Sequence, residues 1–164
     1  MASSSDKVAG LVYGAGVAPY EGESVNDFQG RFPSLTMDSL VHPLSMSDGT
    51  VEVSIDLARF YDVFCADIPA PDAAFMAISQ RTVSATAFDD PAAAAAWRTK
   101  PSWAVFSTAD YPVAPELHRF SYDRAGSTVT ELEGASHFLM RSQPDLVAGV
   151  IREAVIASAV NQAT

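Results

Sequence analysis

Apolar residues in this chain occur in two textures. Val8 to Tyr13 and Ser102 to Ser107 are near-continuous apolar runs without alternation, the pattern of strands covered on both faces. Thr128 to Leu132 reads as a further strand, ending at about residue 133. Pro115 to Ala125 reads as a helix stopped by Gly126, which has no Cβ to oppose the left-handed turn that ends many helices. Pro144 opens a last helix, where Leu146, Val147, Val150, Ile151 and Val155 recur at helical spacing and predict one buried face. Strand, helix, strand, helix is a βαβα unit, and its crossover makes the two strands parallel and right-handed.

Between these parts the texture changes. Pro19 to about Ile68 is rich in Gly, Pro, Ser and Asp, with only one alternating piece, Thr50 to Ile55. It reads as an irregular insertion with one small strand. Pro69-Ala-Pro-Asp72 predicts a helix start, since Pro and Asp suit a first turn. Asp90-Pro91 predicts another, with Asp90 as N-cap and Ala92 to Ala96 and Trp97 as its body. The expected organisation is a first core strand in 1–19, a lid over 20–97 and a βαβα core over 98–164. The fold class is α/β, with a three-stranded parallel sheet.

Composition narrows the partners. At 164 residues and 48% hydrophobic content the chain is one domain's worth of packed protein. Its net charge of −10 sets it against nucleic acid, whose phosphates would repel it. Cys65 is the single cysteine, which fits a reducing, cytoplasmic setting. Lys7 and the apolar run after it faintly resemble a signal peptide, but a lone Lys beside an Asp is a poor leader, and the run reads as a buried strand. No apolar run approaches the roughly 18 residues that cross a bilayer, so no membrane partner is expected. His42, His118 and His137 share no metal-ligand spacing, and no metal is expected. Tyr13-Gly-Ala-Gly16 lacks the third glycine of a dinucleotide fingerprint; it reads as a tight turn, and no cofactor is expected.

Two short loops carry the candidate chemistry. Ser107-Thr-Ala-Asp110 and Gly134-Ala-Ser-His137 each follow a predicted strand. In a parallel sheet the loops after the strands gather along one edge, where ligands bind. Neighbouring strands lie about 4.8 Å apart, which lets Asp110 and His137 reach each other. Taken singly, Asp110 could be a turn former and His137 a solvated surface residue. Together, acid before His at one edge, they match two-thirds of an acyl-transfer triad in the chain order Ser, Asp, His.

Several stretches resemble α/β-hydrolase-fold esterases, of the lid-bearing group that includes plant methylesterases, hydroxynitrile lyases and bacterial relatives. They are residues 7–13 leading to 18–24, Val63 to Asp67, Ser107 to Asp110 with Pro115 to Phe120, and Gly134 to Met140 before Ser142-Gln-Pro144. The resemblance runs along almost the whole chain and covers about the last two-thirds of a family member. It implies a partial α/β-hydrolase fold, with Asp110 as triad acid and His137 as general base of a carboxylic ester hydrolase. Phe60, Tyr61, Phe64 and Phe75 of the lid become candidates to wall an apolar acyl pocket. Tyr111 and Pro112 depart from the family pattern, which has Arg and a small residue there.

The family's nucleophile sits in a G-x-S-x-G elbow between a strand and a helix. The two Gly-x-Ser triplets here, Gly22-Glu-Ser24 and Gly134-Ala-Ser136, lack the closing Gly, and no early oxyanion loop is present. Ser3 to Ser5 lie in a polar tail. The chain is therefore expected to be inactive alone, and to expose the outer edge of its first strand to a second copy or to an N-terminal partner half. Two other readings stay open: a non-catalytic module binding a small ester-like or apolar ligand, and a full esterase whose start codon lies upstream of Met1.

Overall fold

The computed structural model describes residues 7–32 and 39–161; Ser3 to Ser5 fall outside them. Three strands, β1 (Leu11–Gly14), β5 (Ser102–Ser107) and β6 (Thr128–Leu132), form a parallel sheet in the order β1-β5-β6. This is the expected sheet, with β1 starting three residues later than Val8. All six residues of β5 are buried, because both faces are covered. Trp103 and Val105 pack with Leu139, Val150 and Ala154 on one face. Ala104 and Phe106 pack with Tyr122 on the other, with Tyr13 beside them.

Two helices make these layers. Helix α4 (Pro115–Ala125) ends where predicted, at Gly126 with φ +62°. Helix α6 (Pro144–Asn161) runs along the opposite face, preceded by the short α5 (Leu139–Ser142). Its predicted stripe is only partly right. Val150 is buried and Leu146 and Val147 partly so, but Ile151 and Val155 are exposed, Val155 at 64%. The small residues Ala154 and Ala157 take the contact instead, because they let the helix approach the sheet closely. Ile151 and Val155 line a shallow groove of about 390 Å³ with Val8 and Val12 at the outer edge of β1. The amides of Leu11 and Ala15 donate to Pro101 and Val105, so those of Val12 and Gly14 point away from β5. No strand pairs with that edge among the described residues.

The 20–97 stretch holds more order than its composition predicts. Besides α1 (Val25–Gln29), it contains an antiparallel sheet of β2 (Val41–Ser45), β3 (Val51–Ile55) and β4 (Val83–Ser84). Only β3 was expected. Beside this sheet lie α2 (Phe60–Phe64) and α3 (Ala70–Ser79), the latter starting at the predicted Pro69 boundary. Phe60, Cys65, Ile68, Ala73 and Ala77 form the apolar centre of this part.

The expected helix over Ala92 to Ala96 does not form. Ala92 pairs through its backbone with Gly22 and Glu23 at 2.9 Å each, and only a single 3-10 turn follows, at Ala96–Arg98. Trp97 is buried, donates to the Pro19 carbonyl at 2.8 Å and stacks edge-on against Tyr20. These tertiary contacts override the helix preference of a run too short to nucleate alone. No helix among the described residues is long and apolar enough to cross a membrane.

Candidate functional site

The loops after β5 and β6 are joined before their functional residues are reached. The buried Ser107 hydroxyl donates to the Ala135 carbonyl and accepts from the Ala109 amide at 3.1 Å. The Thr108 hydroxyl accepts from the Gly134 amide at 2.9 Å, and Gly134 itself adopts φ +76°. Both loops therefore leave the sheet edge as one unit.

Asp110 and His137 meet as their positions predicted. His137 Nδ1 donates to Asp110 Oδ2 at 2.8 Å, and the other carboxylate oxygen accepts from the Val113 amide at 2.9 Å. The Asp110 side chain is fully buried, whereas that of His137 keeps 21% of its surface exposed. Burial pushes the Asp110 carboxyl up, but hydrogen bonds from His118 and then His137 outweigh it and hold the group below the usual carboxylate range. With Nδ1 spent on the carboxylate, the neutral His137 ring carries its lone pair on Nε2. That nitrogen makes no hydrogen bond among the described residues, so it can take a proton.

His118 completes the cluster, and sequence reasoning missed it. Its Nε2 lies 3.0 Å from Asp110 Oδ2 and its Nδ1 lies 3.1 Å from the Gly16 carbonyl. The ring is fully buried between Phe106 and Tyr122, with centroids 4.9 Å and 5.6 Å away. Tyr122 donates its hydroxyl to the same Gly16 carbonyl at 2.6 Å. The signal was spacing: the first turn of a helix opening at Pro115 brings its inner face back over the loop that it leaves. Gly16 reaches the cluster through the predicted tight turn after β1, where Ala15 takes φ +50°.

Residues of the 20–97 stretch also touch His137. Phe64 stands edge-on to the imidazole at 5.2 Å between centroids. The Phe138 amide donates to the Phe64 carbonyl at 3.0 Å. Phe60 is buried behind Phe64, but Tyr61 and Phe75 are exposed, Phe75 at 68%. Of the four aromatic residues proposed as a pocket wall, Phe64 alone contacts the imidazole. Phe75 points outward because α3 buries its small Ala73 and Ala77 face instead.

Both Gly-x-Ser serines are engaged in structural bonds. Ser24 caps α1, accepting from the Asp27 amide at 3.2 Å and donating to its carboxylate at 2.9 Å. The Ser136 hydroxyl donates to Asp67. His42 lies exposed on β2, away from the cluster. The buried Cys65 thiol is pushed up by burial and by the charge of Asp67, which disfavours the reactive thiolate.

Known structures share this arrangement of elements. Polyneuridine aldehyde esterase superposes with a TM-score of 0.74 at 14% identity, covering 94% of this chain and 65% of that protein. An extracellular alpha/beta-hydrolase from a Paenibacillus species gives 0.71 at 17% identity, covering 93% and 64%. A methylesterase from Arabidopsis gives 0.70 at 16% identity, covering 92% and 61%. The chain thus spans less than two-thirds of each of these proteins, and identities this low speak to the fold alone. A comparison with curated protein sequences found no match. A model of the alpha/beta hydrolase family matches residues 1–150. Fold, strand order and sequence agree: this chain belongs to the alpha/beta hydrolase family.

Proposed function

We propose that Asp110 and His137 are the acid and the general base of a carboxylic ester hydrolase site. The observation that carries this reading is the 2.8 Å bond from His137 Nδ1 to a buried carboxylate, which leaves Nε2 open. In such a site His137 takes the proton from an attacking serine hydroxyl and returns it to the leaving alcohol, while Asp110 fixes the tautomer and balances the imidazolium. The 20–97 stretch acts as a lid, and Phe64 supplies an apolar wall beside the imidazole, favouring a small ester with an apolar acyl group.

The serine and the oxyanion donors of this site come from chain that pairs with the open edge of β1, where Val12 and Gly14 present their amides. Among the described residues the two Gly-x-Ser serines, Ser24 and Ser136, are committed to Asp27 and Asp67, which supports the expectation that the chain has no turnover by itself. A single cysteine, itself buried, fits a cytoplasmic setting.

The same commitment of both serines favours a second reading, a binding module that keeps the lid and imidazole without hydrolysis. One experiment separates the two. The chain is assayed on p-nitrophenyl acetate alone and after mixing with a separately produced α/β-hydrolase N-terminal segment carrying a G-x-S-x-G elbow. Hydrolysis that appears only on mixing, and is lost in H137A, supports the esterase reading. Ligand retention without turnover in either state supports the binding module. Turnover by the chain alone that phenylmethylsulfonyl fluoride inhibits overturns the claim of inactivity.

A further inference from the structure

His118 is a buried titratable group that the proposed hydrolysis does not use. Its two nitrogens face two acceptors, Asp110 Oδ2 at 3.0 Å and the Gly16 carbonyl at 3.1 Å. A carbonyl oxygen can only accept, so Nδ1 carries a hydrogen. Asp110 is held in its ionised form, and a carboxylate also only accepts, so Nε2 carries one too. A ring with a hydrogen on both nitrogens is an imidazolium.

We infer that His118 is a positioning residue: a second imidazole that donates through both ring nitrogens, balances the Asp110 charge and ties that carboxylate to the turn after β1. The inference rests on the reading of Asp110 and His137 as an acid–base pair. Three further features agree with it. An unpaired carboxylate with no exposed surface would be costly, and one buried cation of opposite charge offsets that cost. The ring lies nearly parallel to Tyr122, at 15°, and against Phe106, so its plane is fixed by packing. The Tyr122 hydroxyl and His118 converge on one Gly16 oxygen, which anchors the imidazole from behind. The titratable groups facing His118 are Asp110 from the loop after β5 and Tyr122 from α4, with His137 reached through Asp110 and Tyr13 through Tyr122.

The consequence falls on His137. Asp110 Oδ2 serves both imidazoles, so His137 shares its carboxylate with a fixed cation. Removing that cation leaves the full carboxylate charge to His137 and eases its protonation.

Nitrogen–proton NMR of the imidazole rings in the intact chain tests this. In the unmodified protein His118 is expected to show hydrogen on both ring nitrogens at neutral pH. H118Q, which can still donate to Asp110 but carries no charge, is expected to move the His137 titration midpoint upward by roughly one pH unit. A purely structural His118 would leave that midpoint in place. A bare His118 nitrogen at neutral pH, or an unmoved His137 midpoint in folded H118Q, overturns the inference. If H118Q does not fold, the unmodified protein's His118 signals decide alone. D110N separates the two readings: a His137 titration indifferent to D110N defeats the acid–base pair, whatever the His118 signals show.

Discussion

Asp67 accepts two hydrogen bonds from Ser136, one from its hydroxyl and one from its amide at 3.1 Å. The residue before His137 is thereby fastened to the loop between α2 and α3. Burial raises the Asp67 carboxyl, and hydrogen bonding led by the Ser136 hydroxyl outweighs it, leaving it below the ordinary range. S136A removes one of these bonds from a buried position. It should cost about 1 kcal/mol and lower Tm by roughly 2–4 °C. A thermal melt unchanged from that of the unmodified chain would show that the fastening carries no stability.

Acid should destabilise this protein in part through Asp110. Its carboxyl sits below the value of about 3.9 that it has in the unfolded chain, so the unfolded state binds the proton more readily. The stability this supplies is complete above that unfolded value and disappears as pH falls through the lower folded one. Urea titrations between neutral pH and about pH 3 should show a steep acid limb in the unmodified chain and a shallower one in D110N. At neutral pH D110N should also be less stable by about 3 kcal/mol, because it weakens the hydrogen bonds that a buried carboxylate accepts from His118 and His137. Equal acid slopes would remove Asp110 from this role.

Arg124 joins the start of the 20–97 stretch to α4. Its guanidinium lies 4.4 Å from the Tyr20 ring and 4.7 Å from that of Phe28, and it donates to Glu23 and to the Ala18 carbonyl. A planar cation suits this site and a point charge does not. R124K should therefore destabilise the chain by about 2 kcal/mol despite keeping its charge. A chemical melt of R124K within experimental error of the unmodified protein would refute this.

The buried start of α5 and the outer face of α6 should respond differently to substitution. Leu139, just before this helix, is fully buried, and L139A should cost about 3 kcal/mol. Val155 is exposed despite its place in the apolar stripe, and V155K should change stability by no more than about 0.5 kcal/mol. Comparable losses from both would place Val155 in the core.

Local signals were legible where one force dominates. The unbroken run of β5, the Gly126 stop and the Asp110–His137 pairing all follow from burial, a left-handed turn and parallel strand order. What escaped depends on distant partners. Ala92 gave up helix for backbone bonds to Gly22 and Glu23, some seventy residues away. Strands β2 and β4 are short and mostly exposed, so they show little alternation. His118 carried no motif, since its placement depends on a carboxylate one loop earlier and a carbonyl 102 positions away. Chain periodicity also could not decide between Ile151 and Ala154 for the sheet contact, because that depends on how closely the helix approaches.

The environment of Cys65 has an experimental use. The thiol is fully buried, its Sγ lies 3.6 Å from the Phe60 carbonyl, and its ionisation is suppressed by burial and by Asp67. It is also the single cysteine in the sequence. An alkylating reagent therefore finds its target only in molecules whose α2–α3 packing has come apart. The rate of modification under native conditions then counts those openings directly, so the chain carries a built-in timer for the parting of the Phe60–Ala77 cluster.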